Sequence, residues 1–371
     1  MSEMTISKPF LMAILNEALR SGRPNLAVSS VFLDLDLMGV NLKASSIEWV
    51  VERDRFDRAY SEVQARLGEP MLIKEIPSYP DLKDALQSSL LVPPENLGQM
   101  LSEIRDIEKR RRGSSRNPKQ TLVAIDTNLA YHRLFSRLLL SSEACGVPDY
   151  DPSKVQVILE NLVELEIADR VNRKYRDMDL EVLKKAFKNP KLAGTLANCL
   201  LKDGRKAMNA QTEILAMKGR YAIWEVAGGS WNEDKEKRDG EILRSLAHHA
   251  QEERVELLFL TADDKASATA QAAKVGSFVL RYPHVLPRSI PYDPWLFVEF
   301  LYDLAIVFGI ISLRPLGIRI HGDWAGKTAD DYHQEKVKLA FEETSPLGET
   351  LAQEHRVLDR LGREFDLSSL K

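Results

Sequence analysis

The sequence predicts an α/β fold: a parallel sheet sandwiched by helices, preceded by a mostly helical region and followed by an α+β extension. Three observations lead there. From residue 121 onward, short apolar runs of strand length alternate with apolar residues at helical spacing. The runs "TLVAI" and "VELLFLT" are rich in β-branched and large aliphatic residues. Each run gives way to polar or acidic residues just where the next helical pattern begins, as open parallel sheets require.

Ahead of that region, residues 1–107 show helical spacing at 10–20, 47–66, 81–90 and 95–108 and one strand-like run, "VSSVFLDLDLMGV". They are read as an accessory domain. Residues 108–120, "EKRRRGSSRNPKQ", are basic and then rich in Gly, Ser, Asn and Pro, which is the composition of an exposed linker. Residues 121–284 follow as a strand at 122–126, a helix at 128–142, a strand at 155–159 and a helix at 161–175. A helical insertion at 178–217 comes next, then a helix at 239–252, a strand at 255–261, a helix at 264–275 and a strand at 277–280. The extension, 285–371, contains the apolar segment "WLFVEFLYDLAIVFGIISL", a strand "GIRIHG" and two charged helices.

Composition narrows the function. The 371 residues are 44% hydrophobic and 29% charged with a net charge of −4, the profile of an ordinary globular protein and no bulk polyanion binder. Two cysteines, Cys145 and Cys199, exclude a disulfide framework and a cysteine-rich zinc site, and point to a reducing, cytoplasmic setting. Asn16 and Glu17 interrupt the N-terminal apolar patch, so no secretory leader is read there. Glu299 and Asp303 mark the long apolar segment as a buried helix running into a strand, in preference to a membrane span.

The chemistry gathers at one sheet edge. In a parallel sheet all strands end on the same edge. Asp126 in "AIDTN" ends one strand, and Asp263 with Asp264 in "LLFLTADDK" ends another. Glu166 in "NLVELEIAD" and Asp239 in "RDGEIL" lie on intervening helices with apolar neighbours facing inward. Carboxylates packed together without arginines between them repel and raise one another's pKa, and a hard divalent cation resolves that repulsion. The expected chemistry is hydrolysis of a phosphodiester by a metal-activated water. Helix capping by each Asp is the plain alternative.

The order "AIDTN", acid on the next helix, Asp on a later helix, and "LTADD" resembles the PIN-domain ribonucleases over residues 121–282. That resemblance implies a divalent-metal-dependent endoribonuclease using Mg²⁺ or Mn²⁺ held by Asp126, Glu166, Asp239 and Asp263. Thr127, Asn128, Thr261 and Asp264 would support the site, and Glu164 competes with Glu166 for the second acid. The alternative is a catalytically silent PIN-like scaffold that binds RNA or protein. PIN-like domains commonly pair, so a homodimer is expected. Single-stranded RNA is the expected partner, met by Lys109, Arg110, Arg111, Arg112, Arg116, Lys119, Arg173 and Lys174 and by the Lys-rich stretches and aromatics between 174 and 231. Lysine stems on an amphipathic helix also simply cover apolar surface, which is the plain reading of the same stretches.

Three further motifs read as structure. "FLDLDLM" resembles the start of phosphatases that form an aspartyl-phosphate but lacks their later acidic motif. "GDWAGKT" falls one residue short of a phosphate-cradling loop, with His321 where its first glycine would stand, and reads as a turn. His248 and His249 are helix neighbours that point to different faces.

Overall fold

The computed structural model describes residues 3–112, 120–141, 155–171, 173–228, 230–343 and 345–364. The architecture is mixed α/β, with helices flanking one antiparallel and one parallel sheet. The chain forms two compact units that do not follow the expected boundaries. Unit 1 comprises residues 1–83, 174–202 and 287–371, and unit 2 comprises residues 84–173 and 203–286.

Unit 1 is built on an eight-stranded sheet. Its strands are β1 (Glu3–Ser7), β2 (Asn25–Ser30), β3 (Leu35–Asn41) and β4 (Ser46–Val50) from the start of the chain. From the end come β10 (Ile290–Pro291), β11 (Ile310–Arg314), β12 (Ile318–His321) and β13 (Lys336–Phe341). The order is β1-β13-β12-β11-β2-β3-β4-β10, and every neighbouring pair is antiparallel. The N-terminal region thus contributes four strands to this sheet beside its helices, and the C-terminal extension is not a separate layer. "VSSVFLDLDLMGV" is a hairpin, because Asp34 takes φ +47° in the turn between β2 and β3.

The long apolar segment is a buried helix, Pro294–Phe308, that runs through Gly309 into β11. Pro294 opens it and Asp293 accepts the amide of Trp295, so both signals of a helix start are present. Glu299 is buried because Lys8 meets it at 2.5 Å, and Lys8 is ion-paired to Glu335 as well. No helix among the described residues is long and apolar enough to cross a membrane.

Unit 2 holds the five parallel strands β5 (Thr121–Ile125), β6 (Gln156–Glu160), β7 (Ala222–Val226), β8 (Glu256–Thr261) and β9 (Gly276–Val279), in the order β7-β6-β5-β8-β9. Central β5 is buried from Leu122 to Ile125, the near-continuous apolar run of a strand covered on both faces. β7, "AIWEV", adds an edge strand where sequence periodicity shows only aromatics.

Three boundaries shift for physical reasons. The helix expected at 128–142 divides into Thr127–Tyr131 and Leu134–Ser141, because Arg133 takes φ +52° and turns its guanidinium to Asn209, 3.2 Å away. The helical insertion expected at 178–217 is shared: helix Asp177–Ala186 lies in unit 1, and Lys202–Arg220 continues into unit 2. Helix Leu97–Arg112, expected in the accessory domain, packs Leu97, Met100, Leu101 and Ile104 into the unit 2 core. Asn96 ties its start to the end of β9 through Val279 O (2.7 Å) and Arg281 N (2.9 Å).

Candidate functional site at the carboxyl edge of the parallel sheet

The strand order places β5 in the middle of the sheet with β8 beside it, so Asp126 and Thr261 emerge next to each other. Asp126 leaves β5 extended, with φ −78° and ψ 151°, and its amide donates to Leu260 O at 3.0 Å. Its side chain makes no cap on helix Thr127–Tyr131. Instead Oδ2 accepts from Thr261 Oγ1 at 2.8 Å and from Asn128 Nδ2 at 3.2 Å. Thr261 Oγ1 in turn accepts the amide of Asp263 at 3.0 Å. One buried threonine thus links two acids from distant sequence.

Thr127 performs the corresponding task toward the helix that follows β6, Asn161–Asp169. Its hydroxyl donates to Glu166 Oε2 at 2.9 Å. Glu166 is only 3% exposed, a position a carboxylate occupies when it is paired. Arg170 Nη2 and Arg238 Nη2 each approach Oε1 at 3.4 Å. Arg238 is itself held by the carbonyls of Asn232 (2.8 Å) and Glu233 (3.1 Å), and its guanidinium lies 4.8 Å from the Trp231 ring. Arg170 lies over Tyr131 at 5.8 Å. Burial raises the Tyr131 hydroxyl pKa, with the Arg170 charge opposing.

The expected residues are not all brought together. Asp126, Asn128, Thr261 and Asp263 form one hydrogen-bonded set, and Thr127 with Glu166 adjoins it through the Asp126–Thr127 peptide. Asp263 also caps helix Asp264–Ala272 by accepting the amide of Lys265 at 2.8 Å, while Asp264 is exposed in that helix's first turn. Asp239 does not open its helix, which starts at Lys235; it sits half-buried one turn in, directly after Arg238. Glu164 points elsewhere, to Lys218 at 2.7 Å, and Lys218 also holds Glu225 of β7.

Of the two candidates for the second acid, Glu166 lies against Thr127 and Glu164 against Lys218. One correction follows: the carboxylates are not free of arginines, since Arg170 and Arg238 both approach Glu166. Among the described residues no group of three His, Cys, Asp or Glu side chains is arranged to hold a metal ion. Of the expected RNA contacts, Lys109, Arg110, Arg111 and Arg112 lie in the last turns of helix Leu97–Arg112. Arg116 and Lys119 lie outside the described residues. Arg173 and Lys174 are exposed where the chain passes from unit 2 to unit 1. Arg170, Arg238 and Tyr131 are the residues at this edge that sequence reasoning missed, whereas Trp231 ends the stretch already read for its aromatics. Arg238 had a signal, since it immediately precedes an acid chosen for this edge.

No family model matches the chain, and no curated protein matches it. A solved structure it is similar to is a domain of a functionally unknown protein from Methanocaldococcus jannaschii DSM 2661. The two share 13% identity with a TM-score of 0.28 over 45% of this chain and 95% of that one, a likeness too slight to carry an argument.

Proposed function

We propose that unit 2 is a PIN-like domain that binds single-stranded RNA at the carboxyl edge of its parallel sheet as a catalytically silent scaffold. The observation that carries this reading is the pairing of Glu166. Both of its oxygens are engaged, one by Thr127 and the other by two guanidiniums. A divalent cation at that carboxylate would have to stand where two positive charges already converge, so the residues as arranged do not fit a metal there. RNA binding is supported by Trp231, 43% exposed with Arg238 against its ring, and by the half-exposed Arg170 side chain. An exposed aromatic backed by arginines suits base stacking together with phosphate contact.

A second reading, the Mg²⁺- or Mn²⁺-dependent endoribonuclease, is favoured by one observation: Thr261 Oγ1 donates to the Asp126 carboxylate and accepts the backbone amide of Asp263, so two acids from distant sequence stand at neighbouring strand ends. The two readings separate in one experiment on the full chain. Mn²⁺ binding is measured by calorimetry on wild type and Asp126→Ala, and binding and cleavage of a labelled mixed-sequence RNA are followed in the same buffer. The scaffold predicts RNA binding that needs no metal, survives Asp126→Ala and weakens in Trp231→Ala, with no cleavage. Metal-dependent cleavage lost in Asp126→Ala would replace it with the nuclease. Absence of RNA binding under every condition would reject both.

A further inference from the structure

Unit 1 carries a pocket of its own, about 420 Å³, which lies in the size range of small-ligand sites, roughly 300–1,000 Å³. Its polar lining is set by the antiparallel register. Ser312 of β11 faces Arg319 of β12 across one pair and Ser29 of β2 across the other, so these side chains share a sheet face, as does Arg314 two residues on. Lys188 and Asp34 complete the rim, and Val31, Leu192 and Pro315 supply apolar wall.

The charges at this pocket balance. Lys188 is ion-paired to Asp34, and Arg314 reaches the same carboxylate at 3.4 Å and Asp36 at 3.5 Å. Arg319 meets Glu342 at 2.7 Å, with its side chain only 16% exposed. The lining itself holds three cations and two carboxylates, and Asp36, beside the lining, pairs with Arg314 to complete the balance, which leaves no surplus to attract a polyanion such as nucleic acid or polyphosphate. A lone anion or cation would likewise leave one of its neighbours unpaired. A small molecule that carries both signs pairs with both sets at once, and an apolar body would fill the Val31, Leu192 and Pro315 wall.

We infer that this pocket binds a free α-amino acid with an apolar side chain, its carboxylate on Arg319 and its ammonium on Asp34. Arg319 suits the carboxylate because a largely buried guanidinium recognises that planar group by two parallel hydrogen bonds. Asp34 suits the ammonium because it stays ionised: burial works to raise its pKa, but Lys188 and then Arg314 outweigh burial and hold it below the usual carboxylate value. The inference is independent of the reading of unit 2.

The test is calorimetry of the full chain with leucine, valine and phenylalanine in turn, then with isocaproate and isoamylamine, which keep leucine's body and one of its charges each. At least one amino acid is expected to bind saturably, with both single-charge analogues about tenfold weaker or more. Asp34→Asn is expected to weaken binding by a similar factor while preserving the fold, because Asn tolerates the left-handed φ of +47° at that position. Retention of the wild-type circular dichroism checks that fold. No saturable heat from any of the three amino acids overturns the inference. So does isocaproate or inorganic phosphate binding as tightly as the amino acid, or unchanged affinity in Asp34→Asn.

Discussion

Glu166 and His321 show how a buried ionisable side chain takes its character from its surroundings. Glu166 is held by hydrogen bonds and guanidiniums. His321, on β12 beside Lys338 of β13, is buried without such help, and burial, with Lys338 adding to it, pushes its pKa down to about 4. The unfolded chain therefore takes up this proton near pH 6.5 and the folded one only near 4. The contribution is fully present above pH 6.5 and is lost as pH falls toward 4, a loss of about 3 kcal/mol. Urea unfolding across that range should show wild type losing stability on acidification more steeply than His321→Leu. Parallel curves would mean that the imidazole is protonated equally in both states. Neither environment is legible in the sequence, where Glu166 and Glu164 look alike and His321 is one residue of a strand.

Helix Pro294–Phe308 and the loop "GDWAGKT" explain each other at the scale of elements. A Cβ on Gly322 would lie 2.2 Å from Ala305 O and 2.4 Å from Ala305 C, so the backbone of the helix rests directly on that glycine. The glycine serves close packing, and Lys327 turns inward to the carbonyls of Gly322 (2.6 Å) and Lys336 (2.9 Å). That supports reading the motif as a turn. Gly322→Ala must displace backbone, so it is expected to destabilise by at least 1–3 kcal/mol, roughly the cost of overpacking a core. Chemical denaturation checks this, and an unchanged midpoint would show that the helix has room to move. The strand ends follow the same logic: Asp126 emerges in the middle of the sheet because β6 and β8 flank β5, an arrangement no local pattern in 121–126 contains.

At the scale of the whole molecule, the start and the end of the chain share one sheet. β1 pairs with β13 and β2 with β11, while Leu97–Ile104 belongs to the other unit's core. Residues 1–107 expressed alone lack both strand partners and are expected to give poor NMR dispersion and no cooperative unfolding. A well-dispersed spectrum with a sharp transition would instead restore an independent N-terminal domain.

The alternation of strands and helices from 121 to 280, the buried character of the long apolar segment and the placing of Asp126, Glu166 and Asp263 at strand ends or on facing helices were all legible in the sequence. Those properties follow from local periodicity, which a window of residues carries by itself. The pairing of Glu166 with Arg170 and Arg238, the role of Gly322 and the joining of the two chain ends were decided by tertiary structure. Each depends on contacts between residues far apart along the chain, and a hydrophobic pattern specifies which face is buried without specifying what lies against it.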